Sequence, residues 1–210
     1  MPVLPPLLPL FPLPNVVLFP RMPLPLHVFE PRYRALVADV LESHRAVGIV
    51  LLRAGWEGDY EGRPPIYPIG CAGLIERCER FDDGRYNMLL KGVARFRVAD
   101  ERLGQPYRLA EARYTGDIMG EIGALDELRS RASAALQKIG HADELVEAQR
   151  SLPHDVFVNA ACQALDLSPV EKQSLLDCDS ISERYGRLLE ILEFHVLEHP
   201  NRRGKQPLVH

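Results

Sequence analysis

Hydrophobic positions follow two rhythms along the 210-residue chain, and the change falls near residue 117. Before it, apolar residues come in short β-branched or alternating runs, the pattern of strands. The opening run, LPLFPLPNVVLFPRMPLPLHV, is apolar yet broken by proline every few positions. Nine of the 18 prolines lie within residues 1–25, where Arg21 is the only formal charge. Each proline removes an amide donor but is tolerated at strand starts and edges, so the run predicts short extended core segments separated by turns. The same breaks exclude a secretory signal or a membrane helix, which need uninterrupted apolar stretches.

A helix is predicted to begin at Pro31, with Tyr33, Leu36, Val37, Val40 and Leu41 on its buried face. AVGIVLL, Ala46 to Leu52, reads as a buried strand, and RAGWEGDYEGRPP after it as a mobile surface loop. IGCAGLIERCERF and RYNMLLKGVARFRV flank Asp82, Asp83 and Gly84, a hairpin signal. In the second of these, Ala94, Phe96 and Val98 alternate with Arg95 and Arg97, which predicts one buried face and one cationic face. Tyr107 to Tyr114 supplies a further strand.

Beyond a connection at Thr115 to Gly120, the spacing becomes helical. Leu125, Leu128, Ala132, Ala135, Leu136 and Ile139 form one stripe, and Val156, Ala160, Ala161, Ala164 and Leu165 a shorter one. Ser168 with Glu171 and Ser180 with Glu183 have capping-box spacing. A last helix carries Ile181, Tyr185, Leu188, Leu189, Leu192 and Val196 and stops at Pro200, before a basic tail. The expected organisation is a β-rich part over residues 1–116 and a helical part over 117–210.

Composition adds little except by exclusion. A net charge of −4 gives no general attraction for nucleic acid. Cys71, Cys78, Cys162 and Cys178 form no CxxC pair, so reduced thiols in the cytoplasm are expected.

Two chemistries compete with a purely binding role. His195-Val196-Leu197-Glu198-His199 has the HxxEH spacing of inverted zinc peptidases, with two imidazoles one helical turn apart and a glutamate between. It sits at the end of the last helix with no later segment to supply a distal ligand, and histidine near a helix C-terminus has an ordinary electrostatic reason. Arg77, Arg80, Arg85, Lys91, Arg95 and Arg97, with Phe81 and Tyr86 among them, suggest RNA binding. Against it, Glu76, Glu79, Asp82 and Asp83 are interleaved, and a phosphate-tracking surface carries few competing anions. No GxSxG elbow or GxxxxGK[ST] phosphate loop is present.

Three blocks together resemble the amino-terminal, substrate-binding domain of Lon proteases: LPLFPLPNVVLFPRMPLPLHVFEPRYRALV, then IGCAGLIERCERFDDGRYNMLLKGVARFRV with its Gly-Val-x-Arg-Phe ending at Gly92 to Phe96, then LSPVEKQSLLDCDSISERYGRLLEIL. The resemblance implies an α+β fold, a PUA-like β pseudo-barrel followed by an α-helical bundle. It implies a stand-alone, non-catalytic module for unfolded polypeptide or a specific protein partner, with no cofactor, no metal and no membrane. Nucleic acid is disfavoured as a partner, and the oligomeric state is left open. The block PLHVFEPRYR, where the second strand meets the first helix, supplies the expected peptide-binding residues Phe29, Glu30, Arg32, Tyr33 and Arg34. The alternative placement packs Phe29 and Tyr33 into the core and pairs Glu30 with an arginine.

Overall fold

The computed structural model describes residues 4–60, 62–102, 104–138 and 151–198. Six strands come first, with one helix among them: β1 (Leu7–Leu13), β2 (Pro23–Val28), α1 (Pro31–Leu41), β3 (Ala46–Leu51), β4 (Ile69–Arg80), β5 (Tyr86–Arg102) and β6 (Arg108–Thr115). Among the described residues four helices follow: α2 (Ile122–Lys138), α3 (His154–Ala164), α4 (Pro169–Asp177) and α5 (Ile181–Glu198). The sheet order is β2-β5-β4-β3-β1-β6, and β6 returns to pair with β5, so five strands close into a barrel with β2 outside it. Closure works because β5 is long. Its first half, Tyr86 to Lys91, pairs with β2, and its second half, Arg95 to Arg102, pairs with β6.

The prolines occupy the places their chemistry permits. Pro9 and Pro12 lie in β1, and Pro23 and Pro25 lie in β2. The Met22 carbonyl accepts from Gly92 N–H at 2.9 Å, so even-numbered residues of β2 face β5 and odd-numbered ones turn their backbone outward. Pro23 and Pro25 therefore sit where an amide would have pointed off the sheet edge, which blunts that edge against unwanted pairing.

Period-two alternation sorts the apolar residues into two cores. Leu8, Leu10, Ala46, Val50, Ala72, Phe96 and Ala110 fill the barrel interior. The opposite faces of the strands, including Phe11, Ile49, Leu51, Ile75 and Leu90, join α1 and the later helices in one larger core that reaches Phe157, Leu175, Tyr185 and Leu188. The α3 face differs slightly from the expected stripe: Phe157, Val158, Ala161 and Cys162 are its buried centre, while Val156 and Ala160 are partly buried. Burial pushes the Cys71 and Cys162 thiols up to about 12 and Cys178 to about 11, so these three behave as small core residues.

Arg95 departs from the sequence expectation. Alternation placed it on a cationic surface, yet it is 1% exposed beneath the helices. Its Nε donates to Asp117 Oδ1 at 2.9 Å and its Nη1 to the Leu176 carbonyl at 3.2 Å. Arg184, fully buried on α5, donates to the same Asp117 through Nη2 at 2.7 Å and Nη1 at 3.1 Å. Burial alone would lower the Arg184 pKa, but hydrogen bonds and charge from Asp117 outweigh it and hold the guanidinium above its ordinary value. Asn159 completes the cluster by accepting from Arg184 at 2.6 Å and donating to the Pro20 carbonyl at 3.1 Å. One carboxylate thus joins barrel and bundle through two buried cations.

Both capping pairs are used. Ser168 and Glu171 form the full reciprocal box at α4, whereas at α5 the Ser180 hydroxyl accepts from Glu183 N–H and the Glu183 carboxylate reaches Asp179 N–H instead.

Candidate functional site

The chain leaves β2 at Val28, which points inward, and so the next side chain, Phe29, points out and is 59% exposed. Pro31 then starts α1. Glu30 is the N-cap residue, but its carboxylate does not cap its own helix. It accepts from the Tyr60 hydroxyl at 2.6 Å and from Arg32 Nε at 3.1 Å. Arg32 Nη2 also lies 3.0 Å from Glu30 Oε2, a charge contact bent too far to be a directional hydrogen bond. Arg32 Nη1 donates to the Tyr60 carbonyl at 3.0 Å.

These contacts build a column. Phe11 and Tyr33 stack with ring centroids 4.0 Å apart, the Arg32 guanidinium lies 4.8 Å from the centroids of both Tyr33 and Tyr60, and Trp56 meets Tyr60 edge-on at 5.4 Å. Such cation–aromatic contacts contribute about 0.5–2 kcal/mol each according to burial. The β3–β4 loop, expected to be a mobile connection, instead contains a short 3₁₀ helix at Trp56–Asp59 and is strapped to α1 through this column.

Beside the column lies a cavity of about 270 Å³ between α1 and the β3–β4 and β5–β6 loops. Arg32, Tyr33, Tyr60, Arg63, Tyr107 and Arg108 contribute its polar lining, and Pro12, Leu52, Pro64 and Pro106 its apolar walls. Arg108 donates to Glu101 Oε2 at 2.9 Å, with Arg63 3.6 Å from the same carboxylate. Burial, reinforced by the hydrogen bond to Asp39, pushes the Tyr107 hydroxyl up to about 12, and burial likewise raises Tyr33 and Tyr60, so all three phenols keep their protons at neutral pH.

The five residues expected from PLHVFEPRYR therefore divide. Arg32 and Tyr33 line the cavity, and Glu30 stands behind them, holding Arg32 and Tyr60. Phe29 faces the other way, its ring centroid 6.2 Å from His27, which in turn is 6.4 Å from Phe81. Arg34 reaches the β4–β5 turn, where a Cβ on Gly84 would fall 2.0 Å from Arg34 Nη2. Gly84 also has a φ of 82°, so glycine answers both the turn and the close approach. Tyr60, Trp56, Tyr107 and Arg108 were not legible as site residues. Trp56 and Tyr60 had one sequence signal, an aromatic pair inside a Gly- and charge-rich loop, and Tyr107 and Arg108 had none.

The rival chemistries fare differently. His195 is occupied with Glu171, Nε2 to Oε1 2.8 Å, while His199 lies outside the described residues. Among the described residues no three His, Cys, Asp or Glu side chains group into a metal site. For RNA, Arg95 is buried, Lys91 lies 3.7 Å from Glu76 and Arg85 is paired with Asp83 at 2.7 Å. No helix among the described residues is long and apolar enough to cross a membrane.

The His195 contact carries its own expectation. Burial alone would raise the Glu171 carboxyl, but hydrogen bonds from Ser168 and His195 outweigh it, leaving it below its ordinary 4.5. A depressed folded-state value stabilises above the unfolded value and is lost as pH falls through the folded one. Denaturation midpoints followed from neutral pH to about pH 3 should fall below pH 4.5, and Glu171→Gln should flatten that slope. An unchanged slope in the variant would contradict the assignment.

A closed five-stranded barrel with an appended proline-edged strand, joined to a helical bundle, is an α+β architecture. Residues 7–193 match the family described as the ATP-dependent protease La (LON) substrate-binding domain, and the chain belongs to that family. Lon protease 2 of Herpetosiphon aurantiacus is 28% identical over 205 residues, covering 91% of this chain, and Lon protease 2 of Myxococcus xanthus is 29% identical, covering 90%. The chain spans only 24% of the length of either relative. Among solved structures, a Lon N-terminal domain protein from Xanthomonas campestris matches with a TM-score of 0.62 at 26% identity, covering 88% of this chain and 97% of that one. The N-terminal domain of a Mycobacterium avium complex Lon protease matches with a TM-score of 0.71 at 17% identity, covering 90% and 99%. The fold is the PUA-like one of Lon amino-terminal domains.

Proposed function

We propose that the chain is a non-catalytic binding module for unfolded polypeptide or a partner protein, acting in the cytoplasm without ATPase or peptidase chemistry of its own. The family match supports the class of ligand, because it falls within a substrate-binding domain. One observation carries the placement: Phe29 is a large apolar side chain, 59% exposed, adjoining Glu30, whose carboxylate anchors the wall of a 270 Å³ cavity. An extended segment crossing the start of α1 lays one apolar side chain on Phe29 and another group into the cavity, the usual combination of an aromatic anchor and a shaped recess. Glu30, Arg32 and Tyr33 shape the recess, and Arg34 fixes the neighbouring turn.

Fluorescence anisotropy with a labelled, reduced and carbamidomethylated protein tests this. Saturable binding is expected, and Phe29→Ser is expected to weaken it about tenfold, the effect of losing burial for one large apolar side chain. Its melting temperature should stay near that of the parent, since the side chain is mostly exposed. Equal affinity of parent and variant, or no binding by the parent, contradicts the proposal.

A further inference from the structure

The connection from β6 to α2 reverses the usual placement of polar and apolar groups. Asp117 turns inward to Arg95 and Arg184, while Ile118, Met119 and Ile122 face solvent, 66%, 43% and 74% exposed. The backbone is not free to turn them in. Ile118 N–H donates to the Asp179 carbonyl at 3.2 Å, and the Ile118 carbonyl accepts from Ile181 N–H at 2.8 Å, which fixes the connection against the start of α5. Gly120, with a φ of 91°, then passes so close that a Cβ would fall 2.4 Å from Ser182 Oγ. Apolar side chains scattered singly over a surface are ordinary, whereas three held outward within five fixed residues mark a contact surface.

Charge is distributed unevenly around them. Residues 114–128 carry four carboxylates and no Lys, Arg or His, and residues 177–183, which the Ile118–Ser180 bridge brings alongside, carry three and no cation. Asp117 is taken up by the buried arginines, Asp177 accepts from Gln173 at 2.7 Å and Asp126 lies 3.3 Å from His154. Glu121, Asp179 and Glu183 are exposed beside the apolar residues, although Asp179 also lies 3.4 Å from Arg95 and Glu183 accepts from Asp179 N–H at 3.0 Å.

We infer that this surface docks a cationic, apolar segment of a partner protein, whose apolar side chains cover Ile118, Met119 and Ile122 while its Lys or Arg side chains meet Glu121, Asp179 and Glu183. The charge pattern selects the occupant. An acidic segment sets like charges together, whereas a basic one gains in steering and register. A second copy of the chain presents the same carboxylates, so a two-fold contact centred here opposes like charge to like. The surface is separate from the one at Phe29. Along β5 the partner of Val28 is Tyr86, and the partner of Thr115 is Arg95, nine residues further on and roughly 30 Å along the strand.

Two short labelled peptides test this, one with leucine at helical spacing and lysine elsewhere, the other a twin with glutamate in place of lysine. The intact protein is expected to bind the lysine peptide at least about tenfold more tightly than the twin, by a margin that shrinks as salt rises. Ile118→Ser combined with Ile122→Ser should weaken the lysine peptide about tenfold without moving the melting temperature, since both side chains are mostly exposed. Glu121→Lys should narrow the margin between the peptides about threefold, and Phe29→Ser should leave it unchanged. Equal binding of the two peptides, or binding of neither, overturns the inference. So does loss of binding on Phe29→Ser with none on the double isoleucine substitution, which returns the peptide to the other site. Sedimentation that shows a parent dimer, dissociated by the double substitution, assigns the surface to a second copy and overturns it too. Capture of unfolded polypeptide at Phe29 stands or falls separately, by its own assay.

Discussion

Replacing Asp117 with alanine is expected to cost about 3–5 kcal/mol of folding stability, the largest effect of any single polar substitution in this chain. The carboxylate is the shared acceptor of Arg95 and Arg184, which are 1% and 0% exposed. Its loss leaves buried Arg184 without its carboxylate and Arg95 with only the more distant Asp179 at 3.4 Å, and an unpaired buried charge is far more costly than an absent pair. A domain of ordinary stability has about 5–15 kcal/mol in total, so the variant should lie close to unfolding at physiological temperature. Arg184→Met should be milder, because Asp117 then keeps Arg95. Urea denaturation of the two variants checks the order. A loss below about 1 kcal/mol for Asp117→Ala, or a larger loss for Arg184→Met, would contradict the proposed role of the cluster.

The second large effect is expected at Gly92. A Cβ there would lie 2.1 Å from the Phe19 carbonyl oxygen and 3.2 Å from Pro20 Cα, so the obstacle is backbone rather than a side chain that can swing away. That backbone is held by Arg21 N–H donating to the Gly92 carbonyl at 2.8 Å and Gly92 N–H donating to the Met22 carbonyl at 2.9 Å. Asn159 pins the Pro20 carbonyl from the helical side. Gly92→Ala should therefore cost about 3 kcal/mol and lower Tm by roughly 6–12 °C, as overpacking does where the surroundings cannot relax. Scanning calorimetry showing a change within about 1 °C would contradict this account. The two substitutions together explain the Gly-Val-x-Arg-Phe sequence: Gly92 admits the β1–β2 connection, Arg95 reaches the helices and Phe96 fills the barrel.

What was legible in the sequence is what local rules govern. The proline-punctuated strands, the Asp82 to Gly84 turn, the start of α1 at Pro31 and the full Ser168–Glu171 capping box all follow from propensity, period and spacing within a few residues. Arg95 was misplaced for a physical reason. Alternation separates the two faces of a strand but does not reveal that the outer face is covered by helices more than 80 residues away. Tyr60 and Glu30 are 30 residues apart, and nothing in RAGWEGDYEGRPP announces that its tyrosine returns to the first helix. Phe29 and Tyr33, near neighbours in sequence, diverge because one follows strand alternation and the other the helical turn. The block PLHVFEPRYR thus named the candidate residues but not how they are arranged.

Amide hydrogen exchange, measured with and without a saturating unfolded polypeptide, tests the central claim most directly. New protection is expected over residues 27–34 and 56–60, where Phe29, Arg32 and Tyr60 bracket the start of α1. Protection confined to α2 and α5, or no change anywhere despite binding, would contradict it.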